Sequence, residues 1–183
     1  MSSLNCRSGV PTLASFAAID FETANHDRDS ACAIGMVICA EGRIVERQHH
    51  LIQPPSERFV FTYLHGIGWQ QVAEAPSFRD LWPALRPLLR QVDFVAAHNA
   101  GFDRGVLRAC CASYGLPALR KPFVCTVALA RRQWNIYPTR LPDVCRRLRI
   151  ELRHHQADSD AEACARIVLA AEREGWRRQA GAA

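Results

Sequence analysis

Short apolar runs that alternate or stay continuous over four to eight positions recur along this chain, and they predict strands at 13–20, 32–40, 43–53, 92–97 and 122–126. Apolar residues at three- and four-residue spacing predict helices at about 77–90, 103–114, 126–134, 141–148 and 157–173. Glu41-Gly42 between two neighbouring early strands predicts an antiparallel hairpin, and the later alternation of strand and helix predicts parallel pairing. Pro83 and Pro87 fall inside the 77–90 pattern, so that helix is expected to be kinked or split. Trp69, Trp82, Trp134 and Trp176 sit at helical spacings and read as core or half-buried packing.

Polar positions at the ends of these runs carry the candidate chemistry. In Asp20-Phe21-Glu22-Thr23 the two acids are two residues apart, so on a strand they share one face while Phe21 points away. Like charges this close favour either proton uptake or a divalent cation, and hard oxygen ligands suit Mg2+ or Mn2+. Ordinary solvated turn chemistry is the competing explanation for such a doublet. Asp103 follows His98-Asn99-Ala100-Gly101-Phe102 near a helix start, where the helix dipole alone also favours an acid. Asp160 opens the Ala-rich helix, and His155 precedes it by five positions on the incoming loop. In that arrangement the acid can bind metal while the imidazole reaches a water beside it.

Taken in order, Asp20-Phe21-Glu22-Thr23, then His98 to Asp103, then His155 with Asp160, resemble the motifs of the DEDD-type 3'-to-5' exonucleases, in the histidine-containing, DnaQ-like subclass that includes DNA polymerase III epsilon-subunit-like exonucleases. The similarity runs from about 14 to 171 and includes the His65-Gly66-Ile67 turn. It implies a ribonuclease H-like α/β fold, a mixed five-stranded sheet flanked by helices. It also implies two ions, Mg2+ or Mn2+, held by Asp20, Glu22, Asp103 and Asp160, with His155 as the base that deprotonates the attacking water. Thr23, His65 and Phe102 are implied to touch the terminal nucleotide. Gly68 departs from the family pattern, where a Thr or Ser able to cap the next helix is usual, and this puts the rigidity of that turn in question.

Length and composition narrow the picture further. With 183 residues and 49% hydrophobic content, one buried core is expected, in a single domain over 12–173 with short termini at 1–11 and 174–183. No apolar run approaches the ~20 residues of a membrane span, and 1–11 lacks a signal-peptide pattern, so a cytoplasmic protein is expected. Eight cysteines contain no Cys-x-x-Cys spacing and read as small core residues rather than zinc ligands or disulfides. The net charge of +5 is uneven: positions 120–183 carry thirteen Lys and Arg against seven acids. Arg131, Arg132, Arg140, Arg146, Arg147, Arg149 and Arg153 form either a nucleic-acid track or solvated helix faces.

The expected activity is therefore release of nucleoside monophosphates from single-stranded 3' ends, DNA favoured over RNA, with association with a polymerase as a further expectation. Two other readings stand beside it. One is a ribonuclease H-like module that binds nucleic acid or a polymerase without cutting; the other is a metal-dependent phosphatase acting on small nucleotides.

Overall fold

The computed structural model describes residues 13–178. Cys6, read above as a core residue, lies outside the described residues, as do positions 1–12 and 179–183. Five strands form one sheet in the order β3-β2-β1-β4-β5: β1 Phe16–Thr23, β2 Ala31–Ala40, β3 Arg43–Leu51, β4 Phe94–Ala97 and β5 Phe123–Cys125. β1, β2 and β3 pair antiparallel, and Glu41 and Gly42, both at positive φ, close the β2–β3 hairpin as the dipeptide predicts. β4 and β5 are added in parallel through helical crossovers. This is the mixed five-stranded sheet of the expected fold.

The alternation of β1 decides what lies on each side. Phe16 and Ala18 face a core built with Leu129, Val144, Ala161, Cys164 and Val168, from α5 Thr126–Trp134, α6 Leu141–Leu148 and α7 Ala157–Arg173. Ala17, Ile19 and Phe21 face a second core with Phe78, Trp82, Leu85, Val106 and Leu107, from α3 Phe78–Gln91 and α4 Gly101–Ser113. Asp20 and Glu22 share the parity of Phe16 and Ala18, and so face α7. The buried small residues Ala157, Ala161, Ala163 and Ala165 let α7 lie close on β1 and β2.

Three expectations need correction or refinement. α3 is one helix of 14 residues with Pro83 and Pro87 inside it, not a split one. The two prolines are exposed and four residues apart, so they share the solvent face, where water can replace the lost backbone bonds. Phe78, Leu81, Trp82, Leu85 and Leu89 bury the opposite face and hold the helix together. Two short helices were not foreseen, α1 Thr62–His65 and α2 Trp69–Val72. Between them, Gly68 caps α2 without a side chain because Gln71 substitutes: the Gly68 N–H donates to Gln71 Oε1 at 3.0 Å, and Thr62 Oγ1 donates to the Ile67 carbonyl at 2.8 Å. Six of the seven described cysteines are buried, Cys125 is half-buried, and all seven are free thiols, as expected. Trp82 is core, while Trp69, Trp134 and Trp176 are half-buried.

Candidate active site

β1 extends five residues past its last pair with β4, Ala18 with Ala96. Beyond that point the Phe21 N–H has no partner on β4, and Asp103 takes it: the Phe21 N–H donates to Asp103 Oδ1 at 3.0 Å. Asp103 reaches this place because β4 lies parallel to β1 and leads directly into the first turn of α4. The same bond that satisfies a strand donor thus fixes a buried carboxylate beside Asp20 and Glu22.

α7 delivers the fourth acid. Its first residues cross the sheet directly over Gly35, the β2 partner of Asp20. A Cβ on Gly35 would stand 1.9 Å from the Ala157 carbonyl oxygen, so only glycine permits this approach. Three residues later Asp160 is buried, and its carboxylate comes within 4.8 Å of oxygens of both Asp20 and Glu22. Asp103 falls outside this triplet of close oxygens, and it contributes by charge from the α4 side.

Concentrating four acids here makes their ionised forms costly. Burial pushes Asp20 well up, and Asp103, Asp160 and Glu22 add repulsion. Glu22 is pushed up to about 7 by burial and then by Asp160 and Asp103. Asp103 is also pushed up to about 7 by burial, against the opposing hydrogen bond from Phe21. Asp160 is raised by burial, while His154 and the His155 N–H pull it back. Asp160 Oδ1 is buried and has no hydrogen-bond partner among the described residues. A divalent cation fits this donor set: it would neutralise the repulsion and occupy the orphaned oxygen.

The histidine loop holds a finding the sequence did not reveal. His154 Nδ1–H donates to Asp160 Oδ2 at 2.9 Å, and the His155 backbone N–H donates to the same oxygen at 3.1 Å. His155 is half-buried with its ring stacked on His154, centroids 3.9 Å apart and planes at 23°. His154, which no sequence motif marks, is therefore a direct partner of the Asp160 carboxylate. The cause is local: His155 has φ 66°, a left-handed turn that swings its neighbour back onto α7. Nothing in a His-His dipeptide signals that turn. Burial, and then the neighbouring His154, lower the pKa of His155, which favours its neutral form.

The residues implied to touch a terminal nucleotide surround the acids. Thr23 is buried at the end of β1, and its carbonyl accepts the His65 Nε2–H at 3.2 Å. The Ile67 N–H donates to His65 Nδ1 at 3.1 Å, so the half-buried ring is anchored on both nitrogens. Phe102, on the first turn of α4 beside Asp103, is 39% exposed, the one exposed phenylalanine among the described residues. The arginines are less unified: Arg149 and Arg153 line a groove between β3 and α7, whereas Arg131, Arg132, Arg140, Arg146 and Arg147 do not line it.

Comparison with known proteins agrees with this geometry. The exonuclease family RNase_T matches residues 17–168. The DNA polymerase III PolC-type proteins of Thermotoga petrophila and Streptococcus mutans are 30% and 31% identical to the chain over 160 and 168 residues, covering 85% of it. The chain spans only 12% and 11% of their lengths. Exonuclease X, solved in complex with 5' overhanging duplex DNA, superposes with a TM-score of 0.73 at 25% identity, over 88% of this chain and 94% of that one. The nuclease domain of 3'hExo, described as a DEDDh family member bound to rAMP, gives 0.75 at 16% identity, covering 89% and 94%. The ordered acids and this match over most of its length place the chain in the DEDD-type 3'-to-5' exonuclease family.

Proposed function

We propose that this protein removes nucleoside monophosphates from the 3' end of single-stranded nucleic acid, as a single exonuclease domain over 12–173. The observation that carries the reading is the convergence of Asp20, Glu22 and Asp160 within 4.8 Å, with a buried Asp160 oxygen lacking any partner. The family is divalent-metal dependent, and Asp20, Glu22, Asp103 and Asp160 are the residues that would hold two ions, Mg2+ or Mn2+. Such ions lower the pKa of water and stabilise a leaving oxygen.

The chain's own residues divide the remaining work. His155, kept neutral by burial and its neighbour, accepts the proton of the attacking water. His154 holds the Asp160 carboxylate in place. Thr23 and His65 form a fixed wall, and Phe102 offers an exposed ring on which a terminal base can stack, a contact worth about 1–3 kcal/mol. DNA is the preferred substrate in this reading, supported by relatives named as DNA polymerases and by the DNA complex of exonuclease X. Work alongside a polymerase is supported by the PolC-type matches. No helix of the described residues is long and apolar enough to cross a membrane.

The test is a time course on 5'-labelled single-stranded DNA and RNA with Mg2+, Mn2+ or EDTA. A ladder shortening from the 3' end, abolished by EDTA, is expected. Binding without products would show a non-catalytic module, and release of phosphate alone would show a phosphatase.

A further inference from the structure

At the N-terminal ends of β4 and β5, the opposite end of the parallel strands from the acids, lies a pocket of about 600 Å³ lined by Arg86, Arg90, Arg120 and Lys121 with Pro117, Ala118 and Leu119. No carboxylate lines it. Arg86 and Arg90 are one helical turn apart on α3, a like-charge spacing that is mildly unfavourable and that a bound anion would relieve. Arg120 and Lys121 face them from the loop before β5. Among the described residues none of the four forms an ion pair, and the Arg86 Nε–H is buried without an acceptor. The dipole at the end of α3 accounts for Arg90, and the Val92 carbonyl receives the Lys121 ammonium. Neither explains Arg86 or Arg120.

The loop is held in shape. The Trp82 indole N–H donates to the Pro117 carbonyl at 3.2 Å, the Leu116 N–H to the Cys111 carbonyl at 2.8 Å, and the Val95 N–H to the Pro122 carbonyl at 2.9 Å. The four cations are thus displayed on a rigid frame, the arrangement that recognises phosphate by guanidinium forks. The volume exceeds the need of one phosphate, and the charges are spread along a helical turn and a loop.

We propose that this pocket binds the phosphate backbone of the nucleic-acid strand, as a second contact remote from the acid cluster. The inference rests on the exonuclease reading for its choice of ligand. β1 has eight residues and so spans about 26 Å at ~3.3 Å per residue, and an extended single strand, advancing about twice the ~3.4 Å of a stacked duplex strand, needs about four nucleotides to join the two ends. Shorter strands meet only the acids.

The experiment measures anisotropy of labelled dT20 and dT2 in EDTA across a salt series, for wild type and Arg90→Gln/Arg120→Gln. Losing two phosphate contacts should make the log K against log salt slope for dT20 shallower by about 1.4 and weaken binding about tenfold near physiological salt. Binding of dT2 and its turnover with Mg2+ should be unchanged. An unaltered dT20 slope overturns the proposal, as does displacement of dT20 by polyglutamate with the slope unaltered, which would assign the pocket to an acidic protein segment. If the double variant fails to fold, Arg120→Glu on the exposed loop gives the same readout. Because binding is read without cutting, failure of the pocket and failure of the exonuclease reading are distinguishable: the latter shows as no products from either protein.

Discussion

Gly35→Ala tests how tightly the site depends on the approach of α7 to the sheet. The added Cβ would lie 1.9 Å from the Ala157 oxygen, 2.3 Å from its carbon and 2.7 Å from the Asp158 nitrogen, all backbone atoms that no rotamer change can move. Restoring ordinary contact at 3.4 Å displaces the start of α7 by about 1.5 Å. Overpacking of this kind costs about 1–3 kcal/mol, which in a chain of this size lowers Tm by roughly 2–12 °C. The effect on function is larger than the effect on stability. Asp160 moves with the helix, and a misplacement of ~1 Å costs about 10²-fold in rate. The assays are thermal unfolding with and without Mn2+ and turnover on single-stranded DNA at a temperature where the variant is folded. Turnover within about threefold of wild type, together with an unchanged Mn2+-induced Tm shift, would refute the reasoning, because the helix start would then be free to move without consequence.

His155→Ala should lower turnover by about 10²–10⁴-fold while leaving the metal-induced Tm shift nearly intact; a lost shift would make His155 a ligand rather than a base. His154→Ala should keep most of the turnover and weaken the metal response modestly, since it removes a partner of Asp160. Phe102→Ala should raise KM for a 3' end more than it weakens binding to internal strand, and efficient cleavage of a circular single strand would contradict the end-specific site. In EDTA, stability should fall as pH rises from 4.5 to about 7. Over that window the folded Glu22 holds a proton that its unfolded counterpart has released, and Asp103 adds to the effect. Saturating Mg2+ should flatten this slope, and an identical pH dependence with and without metal would mean that the acids do not share a cation.

Much of the site was legible because its geometry follows from short-range periodicity. Asp20 and Glu22 share a face by the two-residue repeat of a strand, and Asp103 and Asp160 sit in first helical turns that the preceding polar turn residues and the helical spacing after them mark. The Phe21 N–H bond to Asp103 was not legible, because it depends on β1 running past the end of its pairing with β4, which is a property of the assembled sheet. Gly35 announces a close approach in a strand but not which element approaches. His154 was missed because its contact needs a left-handed residue at 155, and histidine is no marker of that conformation. The prolines of α3 were overweighted: their effect depends on which face they occupy, and Phe78, Trp82 and Leu89 bury the other one. The basic pocket joins 86–90 to 120–121, a juxtaposition that neither segment reveals by itself.

The central claim is that carboxylates from β1, α4 and α7 form one divalent-metal site. Mn2+ titration followed by the EPR signal of the free ion tests it directly, on wild type and on Asp20→Asn. Wild type should remove two equivalents of Mn2+ from solution with Mg2+ competing, and Asp20→Asn should lose most of that uptake while remaining folded. Equal Mn2+ uptake by the two proteins, or none by either, would contradict the account.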